Sequence, residues 1–490
     1  FFLNKHSIRM RDLSLLNVLF ICFCCCCYGA MAYQIPRVTL ELLNDGFRVS
    51  IPDEPGVTMV VFNIEIDQQC PVLLDLITEQ RGNFWMSEQL TYKLERNSKV
   101  KINVMAMHTT GLFSRTDLVV ISENFAAIYQ TIKEGDEPID TCAAQPESVD
   151  NTAKASETKV FIENRLSDKL YKSNDQIFNE EFINGKLPNW NKDEYISSNA
   201  IGDRSEDFVL YSKNNTNLSV SQQTLLITPS ISKYNSQSTF TIDRCTPPAC
   251  YENNNYVCEY MKERTRTYMY PPPVSSARIN TKDKFSFQYG RIEIDAKLPE
   301  GDWLFPYIML VPDKENCTKR KQLRISHATS NDLLNLRIRG GPVVINGRPN
   351  PSKPSKHMFD RMSYMTIRGD VEKPNGYHNY TLVWTSQEIR LYFDNVKFGC
   401  ISNNGEYDEP FHIVLGVGAG GHLEFPDTKS KPWRNGYNDA FTLFHYSFTD
   451  CCATGTPKVS CKEGKRSRIC SKQWGPQATM AIRSVRVYAV

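Results

Sequence analysis

Net charge is what this sequence lacks most plainly: 57 lysines and arginines stand against 55 aspartates and glutamates, a formal +2 over 490 residues. Nothing in that balance calls for nucleic acid or an anionic membrane as partner. No long apolar run occurs after residue 32, so no membrane span is expected in the remainder. Sustained helical periodicity is missing as well, which turns the reading towards strands. The four cysteines Cys451, Cys452, Cys461 and Cys470 lack the C-x2-4-C ligand pairs of zinc modules and read as a disulfide-braced insertion, and no metal or cofactor is expected.

What is present begins with a leader. Met10-Arg11-Asp12 precede an apolar run from Leu13 to Cys27 that ends in Ala30-Met31-Ala32. A charged start, a short apolar stretch and a small-x-small site form the pattern of a secretory signal, with the start at Met10 and cleavage after Ala32. A membrane anchor is the alternative, but the run is shorter than the ~20 residues a spanning helix needs. Residues 1–32 are therefore expected to leave, and the product to be secreted and extracellular. Five of the 16 cysteines lie in this leader. The other eleven are expected mostly in disulfides, with one left over by parity. Sequons at Asn214, Asn217, Asn316 and Asn379 fit an exported surface.

Hydrophobic content of 41% and charge of 23% lie in the globular range, and the length allows two or three cores. From residue 33 to about 130 short alternating runs are broken by turns. Phe47-Arg48-Val49-Ser50-Ile51 alternates, and Pro52-Asp53-Glu54-Pro55-Gly56 turns the chain before Val57. That period of two predicts an immunoglobulin-like β-sandwich. Residues 131–158 are rich in Glu, Asp, Ser, Ala and Pro and read as a flexible acidic linker. Residues 159–490 are again strand-like and aromatic, for example in Tyr380-Thr381-Leu382-Val383-Trp384, and predict a large concanavalin-like β-jelly roll. The fold class expected is all-β throughout.

Two sets of residues carry a resemblance. Gly46-Phe47-Arg48-Val49-Ser50-Ile51-Pro52-Asp53, with Gly56-Val57 and Val61-Phe62-Asn63, resembles the N-terminal glucan-binding module of the insect β-1,3-glucan recognition and Gram-negative-bacteria-binding proteins. Tyr289-Gly290-Arg291-Ile292-Glu293, Gly301-Asp302-Trp303, Tyr377 to Trp384, Phe411 to Val417, Lys431-Pro432-Trp433 and Gln477 to Met480 resemble glycoside hydrolase family 16, in its laminarinase-like branch. Together they imply a pattern-recognition protein of innate immunity in haemolymph. Such a protein binds microbial polysaccharide (β-1,3-glucan, lipopolysaccharide or peptidoglycan) and passes a signal to an extracellular partner such as a serine protease.

The hydrolase resemblance also shows what is gone. A retaining glycosidase needs two carboxyls about 5–5.5 Å apart. Active family members supply them as Glu-x-Asp-x-x-Glu on one strand, a bulge returning the third acid to the face of the first two. Here the stretch is Gln322-Leu323-Arg324-Ile325-Ser326-His327-Ala328-Thr329, so that Arg324, Ser326 and Thr329 stand at the three acid positions. A guanidinium has no lone pair to attack with, and a threonine hydroxyl is no useful acid. Ser326 and His327 are adjacent on a strand, face opposite ways and make no serine-hydrolase pair.

For carbohydrate binding the resemblance points to Asp53 and Trp85 in the first domain and to Trp303, Phe305 and Trp433 in the degenerate cleft, with Tyr307 beside them. Core packing is the alternative for the cleft aromatics. The region Thr78 to Glu88 departs from the family pattern: only Trp85 aligns there, and Glu88 falls near where an arginine is expected. Arg324 either makes the former catalytic floor positive, suiting an anionic glycan, or pairs with a nearby acid. The basic segment Arg337 to Arg368 reads as a solvated loop. Two further readings remain open at this point, an endo-β-1,3-glucanase with unmatched carboxylates and a structural scaffold.

Overall fold

Alternation in the sequence translates directly into strands with one face buried. The computed structural model describes residues 33–130 except 45, 67–68, 78–79 and 90–93. From 155 to 490 it omits 198–206, 233–238, 249, 251–256, 261–270, 318, 330–337, 347–361, 366–375, 404, 426, 428–430, 436, 438, 450–460, 464–465, 469–470 and 472–473. The expected leader, nearly all of the expected linker and most of the basic segment lie outside the described residues.

The first body has eight strands: β1 Thr39–Leu43, β2 Gly46–Pro52, β3 Val57–Ile66, β4 Gln69–Ile77, β5 Phe84–Gln89, β6 Lys99–His108, β7 Gly111–Ile121 and β8 Ala127–Gln130. They form a three-stranded sheet in the order β1-β2-β5 and a five-stranded sheet in the order β4-β3-β6-β7-β8. Phe47, Val49 and Ile51 of β2 point into one core with Val60, Phe62 and Ile64 of β3 and Val100, Ile102 and Val104 of β6. Trp85 of β5 joins them. At Gly56 the backbone takes φ +101°, open to glycine, and the His108 ring occupies the space a side chain would need.

The second body packs two large antiparallel sheets face to face. The first runs through Lys159–Ile162, Phe285–Gln288, Phe411–Ala419, Leu304–Pro312, Lys319–His327 and Arg339–Asn346. The second contains Met480–Tyr488, Gly290–Lys297, His378–Trp384, Glu388–Phe393 and Val396–Ser402. Between them lie Phe287, Trp384, Phe411, Ile292, Ile294, Leu382 and Leu391. The Trp384 ring meets Phe287, Tyr289 and Phe411, with centroids 5.2–6.0 Å apart, so it is a core residue. Cys245–Cys258 and Cys250–Cys317 are disulfides.

Within this all-β frame, the described residues include one α-helix, Ala440–Thr449. Its Phe441, Phe444 and Phe448 recur at i, i+3 and i+7 on one face and meet Phe208, Trp433 and Trp474. A ten-residue helix offers too short a period to register in a strand-rich sequence.

Candidate functional site

The strand Lys319–His327 runs between Leu304–Pro312 and Arg339–Asn346, with Arg324 opposite both Met309 and Gly341 and Ser326 opposite Ile308. Its register with Arg339–Asn346 shifts between Arg324 and His327. Beyond this shift His327 faces Arg324, whose Nη1 lies 3.3 Å from His327 Nδ1. Ser326 Oγ and Thr329 Oγ1 make no hydrogen bond among the described residues.

Arg324 does not present a free positive charge. Its Nη1 and Nη2 donate to Glu424 Oε2 and Oε1 at 3.1 and 2.8 Å, and its Nε donates to Gln322 Oε1 at 3.0 Å. His327 Nε2 sits 3.0 Å from Glu424 Oε2. Burial by itself would raise the Glu424 carboxyl, but the charges of Arg324 and His327 outweigh it and hold the group well below the usual range. His327 is pushed down to about 4, first by burial and then by Arg324, with Glu424 opposing. At neutral pH the Arg324 guanidinium and the Glu424 carboxylate sit beside a neutral imidazole, and the buried Arg339, opposite His327 on the next strand, adds a further positive charge that acts on that ring.

This floor is closed. Arg324 is 2% exposed, Ser326 1%, His327 0%, Thr329 0% and Glu424 2%. Aromatic rings lie against it: Phe305 meets His327 at 5.7 Å and Tyr307 at 5.2 Å, and Trp303 meets Phe425 and Trp433 at 5.4 and 5.0 Å. Trp303, Phe305, Tyr307 and Trp433, read from the sequence as sugar-stacking candidates, are all buried. Trp303 Nε1 donates to Ser471 Oγ and Trp433 Nε1 to the Gly421 carbonyl. The structure places these aromatics in the core, because their ring faces and polar tips are already used within the protein. Trp303 even adopts a left-handed φ of +67°, held by the bond from Gly420 N to its carbonyl.

The first body offers a different surface. Strand pairing sets Glu41 opposite Arg48 and Arg48 opposite Glu88, Thr39 opposite Ser50 and Ser50 opposite Met86, and Pro52 opposite Phe84. Most side chains of these rows reach solvent on the outer face of the β1-β2-β5 sheet, with Phe84 44% exposed. Arg48 donates from Nε and Nη2 to Glu88 Oε1, and from Nη1 to Glu41 Oε2, and Arg81 reaches Glu88 Oε2 at 3.4 Å. The result is a flat lattice of donors and acceptors beside an exposed ring.

Asp53 and Trp85 lie under this surface. Trp85 is 4% exposed, and its Nε1 donates to Asp53 Oδ1 at 2.7 Å. The Gln80 amide end lies against the Asp53 carboxylate, where its nitrogen, once turned inward, donates to Oδ1 and Oδ2 at 2.9 and 2.5 Å, and Asp53 N donates to the Asn83 carbonyl. These contacts pin the turn ahead of Phe84. The family resemblance singled out Trp85, which aligns with the module's pattern, and did not point to Phe84. The period of two from the inward Trp85 and Ser87 was the signal that could have found it.

Among the sequons, Asn214 and Asn316 are exposed and Asn379 is half-buried, its Oδ1 accepting from Thr381 Oγ1. Asn217 departs from the expected surface position: it is 4% exposed, with its amide hydrogen-bonded inside the fold. Among the described residues no group of three or more potential ligand side chains is placed to hold a metal ion. No helix there is long and apolar enough to cross a membrane.

Comparison with known proteins agrees with the resemblance read from the sequence. Residues 34–134 match the family CBM39, described as a carbohydrate binding domain (family 32). Over 473 residues the chain is 27% identical to Gram-negative bacteria-binding protein 2 of Drosophila melanogaster, covering 93% of this chain and 95% of that one. It is 26% identical over 476 residues to β-1,3-glucan-binding protein 1 of Manduca sexta, covering 84% and 90%. Among solved structures, the laminarinase from Rhodothermus marinus aligns at 19% identity and a TM-score of 0.38, over 64% of this chain and 98% of that one. The endo-1,3-β-glucanase catalytic domain of Thermotoga petrophila aligns at 18% identity and a TM-score of 0.37, over 64% and 98%.

Proposed function

We propose that this chain is a secreted, non-hydrolytic receptor for microbial surface polysaccharide, with β-1,3-glucan as its first ligand, acting in innate immunity. The observation that carries the reading is the contrast between two surfaces. The strand where a family 16 hydrolase would hold its acids carries Arg324, Ser326 and Thr329, sealed under aromatic rings. The outer face of β1-β2-β5 lies within residues that match a carbohydrate-binding family, and it is open.

Each surface suits its part. A hydrolase cleft must admit a polymer to two carboxyls. Glu424 is a single acid, spent on Arg324 and closed off from solvent. On the open face, Phe84 offers a ring for the apolar side of a pyranose, and the Glu41–Arg48–Glu88 row accepts and donates hydrogen bonds to hydroxyls. The guanidinium and carboxylates fix one another, so little order is lost on binding. The named relatives support polysaccharide as the ligand. Export into haemolymph and handover to an extracellular partner such as a serine protease complete the proposal.

The test uses the full chain expressed with its leader in insect cells. The secreted protein should co-sediment with insoluble curdlan and release no reducing sugar from laminarin anywhere between about pH 4 and pH 9, the range over which carboxyl and imidazole catalysts titrate. Robust hydrolysis would overturn the reading in favour of an enzyme. Absence of binding to curdlan, peptidoglycan and lipopolysaccharide alike would overturn it in favour of a scaffold.

A further inference from the structure

Two sequons lie almost on top of each other, Asn214-Asn215-Thr216 and Asn217-Leu218-Ser219, and their asparagines sit in opposite environments. Asn214 is exposed at a turn. Its backbone N donates to Ser212 Oγ and its Oδ1 accepts from Thr216 N, both at 3.2 Å. Its amide nitrogen makes no hydrogen bond among the described residues. The carbonyl oxygen of the side chain is thus engaged with the sequon's own threonine while the nitrogen stays available.

Asn217 reverses every feature. It is 4% exposed, and its Nδ2 donates to the Thr228 carbonyl at 2.8 Å, to Ser230 Oγ at 3.1 Å and to the Ser275 carbonyl at 3.2 Å. Thr228 N donates back to the Asn217 carbonyl at 3.0 Å. One amide therefore ties together the ends of the strands Leu218–Ser221, Thr224–Ile227, Ser230–Ile231 and Val274–Ser276. A buried amide of this kind leaves orphaned carbonyls if it is removed.

We propose that Asn214 carries an N-linked glycan and that Asn217 stays bare because its amide is a structural tie. This rests on the export reading above, since the donor is a pyrophosphate-linked lipid oligosaccharide of the secretory pathway. In the transfer, the Asn214 amide nitrogen bonds to the anomeric carbon of the first sugar. The bond from that carbon to the pyrophosphate oxygen breaks, the electron pair leaves with the lipid pyrophosphate, and one amide proton passes to a base on the transferring enzyme. At Asn217 the same step would remove one of the two hydrogens that serve three acceptors and force a sugar ring into a closed space. Transfer precedes folding, so both sites are offered to the enzyme. Only chains bare at Asn217 can close this part of the fold.

The experiment maps occupancy on the secreted full chain, by releasing N-glycans enzymatically in heavy-oxygen water and reading the peptides by mass spectrometry. Label is expected at position 214 and not at 217. Thr216→Ala, which removes the first sequon and leaves both asparagines, should abolish the glycan without shifting it to Asn217 and without changing the melting temperature. Ser219→Ala, which removes the second sequon, should leave the glycan as it was. Asn217→Gln should keep the Asn214 glycan and lower the melting temperature by several degrees. Label at Asn217 in folded, secreted protein would overturn the proposal, and so would secreted protein bare at Asn214. A chain that never enters the secretory pathway would instead overturn the export reading.

Discussion

Arg324 and Glu424, one hundred residues apart in the chain, meet through both terminal nitrogens of the guanidinium at 3.1 and 2.8 Å. Neither is more than 2% exposed. The pair stands on the floor that the hydrolase resemblance assigns to catalysis, and there its two charges are spent on each other.

Breaking the pair from one side should be far worse than removing both partners. A lone buried charge keeps its desolvation cost without its attraction, and such losses run to about 3–5 kcal/mol. Arg324→Leu and Glu424→Leu should each destabilise by roughly that amount in chemical denaturation, while the double variant should recover much of the loss. Additive losses would show that the two residues contribute independently.

The same cluster fixes a pH dependence. His327 is held down to about 4 in the fold against about 6.5 when unfolded, so the unfolded chain takes up a proton first as pH falls. Its share of stability is complete above about pH 6.5 and is lost progressively down to about pH 4, at up to ~1.4 kcal/mol per pH unit. Glu424, also depressed, adds its own loss as pH falls through the ordinary carboxyl range and below. Denaturation midpoints measured between about pH 7 and pH 4 should fall, and His327→Leu should flatten that fall. An unchanged slope in the variant would assign the dependence to other groups.

Restoring the acids should not restore an enzyme. Arg324→Glu would set a second carboxylate against Glu424 in a closed space and leave both uncompensated. The triple variant Arg324→Glu, Ser326→Asp, Thr329→Glu is expected to be secreted poorly or not at all and to release no sugar from laminarin. Well-folded, active triple variant would mean that the floor is more open than 0–2% exposure allows.

Much of this was legible in the chain before any coordinates. Alternation in Phe47 to Ile51 gave the inward row of β2, which the core of the first body contains. What escaped was anything set by contacts distant in sequence. Glu424 could be imagined only as some nearby acid, because no local period links residues one hundred apart. The cleft aromatics were ambiguous because a tryptophan that stacks on sugar and one that fills a core look alike in sequence. Asn217 misled for a related reason: a three-residue sequon carries no information about burial.

Phe84 and Trp85 are neighbours on β5, and the period of two sends them to opposite sides. Their substitutions should therefore separate into two readouts. Phe84→Ala removes an exposed ring and should leave the melting temperature within about 1–2 °C, since surface changes rarely exceed ±0.5 kcal/mol. Its binding to curdlan should fall by about 3- to 10-fold, the equivalent of one aromatic contact of ~0.5–1.5 kcal/mol. Trp85→Ala empties a core position and breaks the bond to Asp53, at a cost of about 3–5 kcal/mol of stability. Any loss of binding in that variant should track its unfolding, and Trp85→Phe should recover binding together with most of the stability. Loss of binding by a fully folded Trp85→Phe, with Phe84→Ala still binding normally, would move the recognition site from the outer face of this sheet to the Asp53–Trp85 pair.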